Sequence, residues 1–184
     1  MKKILLILLT VALMDATVFA QDKLVSRDGQ IGFFSHTIAE DISSQNFSVV
    51  STFVPESGDV VYSVSMQSFE FEKALMQKHF NSVKFLDTKH FPKAKFKGKV
   101  TNVSEIDFAT NGIYDASVEG ELTIHGVTNK IAEKGTVTVS DDKIQIDTKM
   151  DVVLADYEVA FKKGKPSTNV AKTIAVTVKT VFAK

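Results

Sequence analysis

Neither cysteine nor tryptophan occurs among the 184 residues of this chain. Without cysteine there can be no disulfide, no thiol nucleophile, no Cys-based zinc site and no cysteine-linked lipid anchor. Neither sign of charge is in excess: 22 basic and 22 acidic residues balance to zero, which gives nucleic acid or an anionic membrane no electrostatic reason to bind. The longest apolar run, about ten residues at 4–13, is too short for a bilayer span, which needs ~20. Catalytic signatures are missing too. His36, His79, His90 and His125 form no H-E-x-x-H and no i, i+2 or i, i+4 pair, so no metal-ligand spacing is present. There is no G-x-S-x-G elbow, and Gly164-Lys165-Pro166-Ser167 lacks the upstream glycine of a P-loop. Asp41, Glu70, Glu72, Glu119 and Glu121 fit wet faces or turns rather than a glycosidase-like pair. An enzyme site assembled in space from distant residues stays open as an alternative.

The first twenty residues read as a secretory signal peptide. Lys2 and Lys3 form a positive start, an apolar stretch follows, and Val18-Phe19-Ala20 supplies a small-residue cleavage site. The expectation is one domain, 21–184, working in the periplasm or secreted.

What the chain does have is alternation. Runs with a two-residue period occupy 30–37, 45–55, 58–67, 94–103, 113–124, 127–139, 142–154 and 170–182. Turn residues such as Glu56-Ser57-Gly58, Thr110-Asn111-Gly112, His125-Gly126 and Ser140-Asp141-Asp142 separate them. In the fifth run Tyr114, Ala116, Val118, Gly120, Leu122 and Ile124 share a face; in the seventh, Ile144, Ile146, Met150, Val152 and Leu154 do. One wet and one apolar face per strand argues for antiparallel strands around a single interior. Short turns argue for up-and-down order, and closure removes the edges. A two-sheet sandwich would carry the same pattern. An outer-membrane barrel would not: the charged faces are too dense for lipid, and Trp girdles are absent. The sixth run is untidy, since Glu133 shares a face with Ile131 and Val137, and a bulge or barrel mouth there would account for it.

One segment breaks the alternation. Across residues 70–82, Phe71, Leu75, Met76, Phe80 and Val83 fall on one half of a helical wheel, opposite Lys73, Gln77, Lys78 and Asn81. Glu70 and Glu72 near its start and Lys78 and His79 near its end suit the helix dipole. A single amphipathic helix attached to a sheet suggests a lid on an apolar interior.

The segments Phe69–Asn81 by helix pattern, Phe91-Pro92-Lys93-Ala94-Lys95-Phe96-Lys97-Gly98, and Gly120-Glu121-Leu122-Thr123-Ile124-His125-Gly126-Val127-Thr128 resemble the YceI family of lipid- or polyisoprenoid-binding proteins. Asp156-Tyr157 also fits. The likeness runs over roughly 21–184. It implies an all-β fold, an eight-stranded antiparallel up-and-down lipocalin-like β-barrel with one inserted helix. It also implies binding of an elongated apolar lipid, whether polyisoprenoid, isoprenoid quinone or fatty-acid-like, with no cofactor and no enzymatic role. The segment Ser82-Val83-Lys84-Phe85-Leu86-Asp87 is less polar than the family pattern at this point.

For the lipid-contacting wall the residues indicated are Phe47, Val49, Phe53, Tyr62 and Val64, then Phe96, Leu122, Ile124, Ile146 and Met150. Leu75, Met76 and Phe80 would form the helix face over the interior. Fourteen Phe against three Tyr and no Trp, together with Met66, Met76 and Met150, suit an adaptable apolar wall. Ala94, Gly98, Ala116 and Gly120 at inward positions would leave room in it. A filled structural barrel without ligand is the competing reading, because parity cannot separate core from cavity wall. The cluster Lys162-Lys163-Gly164-Lys165 is either solvated loop or part of a rim that meets a polar head group.

Overall fold

The computed structural model describes residues 23–159 and 169–184. The proposed leader at 1–20 and the lysine cluster at 162–165 lie outside the described residues.

Eight long strands close into an antiparallel barrel. They are β1 (Leu24–His36), β2 (Asp41–Phe53), β3 (Asp59–Ser65), β5 (Lys93–Val100), β6 (Gly112–Ile124), β7 (Val127–Val139), β8 (Lys143–Val153) and β9 (Thr173–Ala183). The order around the ring is β1-β9-β8-β7-β6-β5-β3-β2, and β2 pairs back to β1 to complete it. A two-residue strand, β4 (Phe69–Glu70), stands outside the ring and pairs with β2 at Asn46 and Gln45. The only α-helix among the described residues, α1 (Ala74–Asn81), lies between β4 and β5.

The alternation is legible in β3, β5, β8 and β9 because one face of each is dry and the other wet. Two departures are informative. β1 begins at Leu24, six positions ahead of the run that predicts it, because its first half is interrupted. Pairing with β2 shifts register between Ser26 and Gly29, and again between Gly29 and Ile31. The second shift places the extra residue on β2, between Asn46 and Val49. An extra residue in one strand reverses which face its side chains take. Ser44 and Asn46 are therefore buried before the bulge, and Val49, Ser51 and Phe53 after it.

The helix is shorter than its apolar stripe predicts. Phe69 and Glu70 are drawn into extended pairing with β2, so α1 starts only at Ala74. Glu70 and Glu72 thus precede the helix, and its first turn holds no acidic residue, whereas Lys78 and His79 do sit in the last turn. Two turns of helix cannot hold themselves in water, so packing must hold them. Thr88, buried beneath the chain that leaves the helix, donates from Oγ1 to Asn81 Oδ1 at 2.8 Å. Gln67 Nε2 donates to Thr88 O at 3.3 Å. The helix C-terminus is therefore tied to the wall, while its other end is held by an exposed Lys73–Glu40 ion pair at 3.2 Å, a kind of contact worth little.

The core fills one end of the barrel. Phe53 lies 5.8 Å from Phe108 and 5.9 Å from Phe182, ring centre to ring centre, with Val100, Val137 and Ile144 packed around them. The opposite end, under α1, is not filled.

Candidate functional site

The unfilled end is a cavity of about 500 Å³. Its walls are the last inward residues of β3 and β6 and the first of β9, among them Val64, Leu122, Ile124, Ile174, Val176 and Val178. Its roof is aromatic. Phe80, the one fully buried residue of α1, has ring centres at 5.0 Å from Phe71, 5.3 Å from Phe69 and 5.9 Å from Phe33, the last pair stacked. Phe85 completes the cluster at 6.3 Å from Phe80. Offset and edge contacts of this kind add ~0.5–1.5 kcal/mol per pair beyond area burial. Among the described residues, the charged and polar side chains on its lining are Ser35, Glu40, His79, Lys84, Tyr157 and Asn169.

The predicted wall residues divide into three groups. Val64, Leu122, Ile124, Met150, Met76 and Phe80 line the cavity. Val49, Phe53, Tyr62, Phe96 and Ile146 point inward and are buried, but belong to the filled end. Phe47 and Leu75 are corrections. Phe47 is 52% exposed because the bulge in β2 turns it outward. Leu75 is 62% exposed because the helix starts late and presents only Met76, His79 and Phe80 to the cavity.

The room expected at Gly98 and Gly120 is also taken. These two glycines pair across β5 and β6, and a Cβ on Gly120 would stand 2.7 Å from Phe96 Cζ. The Phe96 ring lies over the pair and occupies the space a ligand would have used. Ala94 does line the cavity, and Ala116 is packed in the core.

Several lining residues escape the sequence reading. Phe33 and Ile31 have a signal, since they alternate with Ser35 in the first run. Phe85 and Leu86 belong to the apolar departure after the helix: Leu86 N–H donates to Phe80 O, and the segment folds back under the roof. Leu154, on the predicted apolar face of the seventh run, and Tyr157, in a segment that fits the family, have a signal; with Val159 they come from a 3-10 turn (Leu154–Tyr157) and the residues after it. That turn sits where β7 and β8 part. β7 pairs with β8 only over 135–139 and with β6 over its whole length. Asn129 Nδ2 donates to Asp156 O at 2.8 Å and fixes the turn against β7. Glu133 faces inward at this parting, which accounts for the untidy sixth run; burial, then Asp151 nearby, raises its carboxyl above the usual range.

Two phenols are perturbed. Burial pushes Tyr62 up to about 12, with Asp147 adding to the rise and the neighbouring Thr180 hydroxyl opposing it. Tyr157 is raised by burial and by Asp156, against the effect of Asn129. Neither phenol is poised to exchange protons near neutrality. Among the described residues no group of three or more His, Asp or Glu side chains is placed to hold a metal ion, and no helix is long and apolar enough to cross a membrane.

The YceI-like domain profile matches residues 20–182. A UPF0312 protein of Pseudomonas fluorescens is 29% identical over 131 residues, 65% of this chain and 64% of that protein. One from Pseudomonas putida is 35% identical over 103 residues, 56% of this chain and 49% of that protein. The chain thus spans less than two thirds of the relatives it matches. Among solved structures, a polyisoprenoid-binding domain from Saccharophagus degradans superposes with a TM-score of 0.73, covering 88% of this chain and 97% of its own at 13% identity. Burkholderia cenocepacia BcnA follows with a TM-score of 0.69, 83% and 95% coverage and 16% identity. At such identities the likeness is one of fold.

Proposed function

This chain belongs to the YceI-like domain family, and from that premise we propose that it binds or carries an elongated apolar lipid inside its barrel. The ligand class is a polyisoprenoid, isoprenoid quinone or fatty-acid-like chain. One observation carries the reading: a cavity of about 500 Å³ whose walls are apolar and whose roof is a cluster of phenylalanines. Space of that kind is unfavourable if left empty and dry, since its lining forfeits contacts. Each methylene placed there contributes about 0.8 kcal/mol, so a hydrocarbon chain needs few polar partners. A polar head would remain at the rim beside Glu40, His79 and Lys84. The name of the Saccharophagus degradans domain gives the isoprenoid class further support.

The role is binding rather than catalysis, and its place is the cell envelope. For the second statement the support is the leader-like pattern at 1–20.

The test is mass spectrometry of an organic extract of the purified protein, produced with its leader in a bacterial envelope. A stoichiometric isoprenoid or acyl lipid is the expected result, and Val64→Trp or Leu122→Trp should lower its occupancy. Protein that yields no lipid and takes up neither isoprenoid quinone nor fatty acid would leave a filled structural barrel as the better account.

A further inference from the structure

On three of the strands that bound it the cavity stops partway along the inward face. On β9, Ile174, Val176 and Val178 line it, but Thr180 and Phe182, next along the same face, do not. On β3, Val64 lines it and Tyr62 does not; on β8, Met150 and Val152 do and Ile146 does not. Immediately below that level three hydroxyls stand among the buried Val49, Phe96 and Ile146. Ser51 and Tyr62 face each other across β2 and β3, and Thr180 lies beside the Tyr62 phenol. The hydroxyls of all three are buried, and apart from the contact between Tyr62 and Thr180 none has a hydrogen-bond partner among the described residues. Beneath them Phe53 and Phe182 are at 0% exposure and close the barrel.

A hydrocarbon chain pushed past Val64 and Val178 would meet hydroxyls it cannot hydrogen-bond, a costly contact in a dry interior. It would then meet close-packed rings with no room to yield. The barrel axis is therefore open for about half its length only. A methylene takes roughly the volume of a water molecule in the liquid, ~30 Å³, so about 500 Å³ holds on the order of fifteen such groups.

We infer that the site is built for one apolar chain of roughly fifteen carbons, a short prenyl or mid-length acyl chain, and that a long polyprenyl tail cannot enter beyond that length. This rests on the lipid-binding reading above. The floor residues Val64 and Val178, backed by the Ser51–Tyr62–Thr180 layer, set the limit. A longer chain leaves its excess outside the mouth and gains nothing from it.

The experiment is a chain-length series on the intact delipidated protein, read by displacement of a fluorescent apolar probe. One arm uses saturated fatty acids of eight to eighteen carbons, the other prenols of two to eight isoprene units. Binding should tighten roughly fourfold per methylene up to about fifteen carbons and then level off. The arm that binds more tightly at the plateau identifies the source of the chain. Val64→Phe should move the plateau to a shorter chain, because it raises the floor. Affinity that keeps rising through to the eight-unit prenol overturns the length limit and leaves lipid binding intact. Failure of every chain to bind removes the lipid reading itself and the limit with it. An unmoved plateau in a folded Val64→Phe protein overturns the position of the floor.

Discussion

The rings of Phe91 and His125 meet edge to face with their centres 4.5 Å apart. His125 and Gly126 are the two central residues of the hairpin that joins β6 to β7, and both have positive φ, +53° and +80°. That is the turn a two-residue hairpin needs to match strand twist. Phe91 and Pro92 lead into β5, and Pro92 O accepts from Met66 N–H at 2.9 Å. Two of the segments that carry the family resemblance therefore meet in space. Their work is positional: they clamp the ends of β3 and β6 and the start of β5, where Val64, Ile124 and Ala94 are cavity wall.

Gly126→Ala should be more disruptive than a surface glycine replacement usually is. A Cβ there would stand 2.6 Å from Phe91 Cε1 and would also burden a left-handed backbone. A loss of about 1–3 kcal/mol is expected from strain and overpacking together. Urea unfolding of the variant measures it, and an unchanged midpoint would count against the clamp.

Gly120→Val addresses the space under Phe96. A Cβ on Gly120 would stand 2.5 Å from Gly98 Cα and from Lys97 O, and 2.7 Å from Phe96 Cζ, so added methyl groups must displace both the neighbouring strand and the ring. A loss of about 2 kcal/mol or more is expected, with no rescue by added lipid. A variant restored to full stability by fatty acid or prenol would mean that this space belongs to the ligand.

How far the interior could be read in advance depended on which property of a residue was asked for. Parity assigns a face, and the faces of Leu122, Ile124, Ile146 and Met150 follow from it because β6 and β8 run without a bulge. It carries no information on depth: Ile146 and Met150 share a face of β8, yet the first is core and the second lines the cavity. Phe47 was misread because a bulge has no compositional mark in Gln45-Asn46-Phe47-Ser48. Leu75 was misread because the helix start is decided by the pairing of Phe69 and Glu70 with β2, a contact between residues far apart in sequence. The turn that presents Leu154 and Tyr157 was out of reach for a similar reason, since it is anchored by Asn129 on another strand.

Tyr62 should make the protein sensitive to alkali. Its folded-state value of about 12 stands above the ordinary 10.0, so the folded state resists ionisation more than the unfolded chain does. The associated stability is fully present below pH 10 and is lost progressively between about pH 10 and 12, as the unfolded chain ionises first. The full loss is on the order of 3 kcal/mol for a shift of two units. Tyr62→Phe should flatten this dependence and cost little at neutral pH, because the hydroxyl it removes is buried with no partner besides the neighbouring Thr180 hydroxyl. Urea midpoints of both proteins across pH 8–11 test this; parallel curves would show that the phenol is not the cause. Tyr157 is raised in the same direction and adds to the dependence.

The roof gives the most direct test of the helix as a lid. Phe80 is 6% exposed and touches the rings of Phe33, Phe69, Phe71 and Phe85. Leu75, five residues before it and so on another face of the helix, points into solvent. Phe80→Ala should therefore cost about 3–4 kcal/mol of stability, within the range for a buried ring, and weaken binding of a mid-length chain by tenfold or more. Leu75→Ala should change either by less than about 0.5 kcal/mol, as exposed substitutions do. Thr88→Ala separates the lid from its anchor. It leaves Asn81 Oδ1 without the hydroxyl it accepts from and should cost about 1–2 kcal/mol. Because the polar tie at the opposite end of the helix is the exposed Lys73–Glu40 pair, beside the packing of Phe71 on Phe33 and Phe80, loss of the Thr88 contact should also speed ligand release more than it slows uptake. Stopped-flow release of a fluorescent fatty acid from Phe80→Ala and Thr88→Ala resolves the point. Equal release rates in Thr88→Ala and the unaltered protein would mean that the chain leaves by another route, with the parting between β7 and β8 as the place to look.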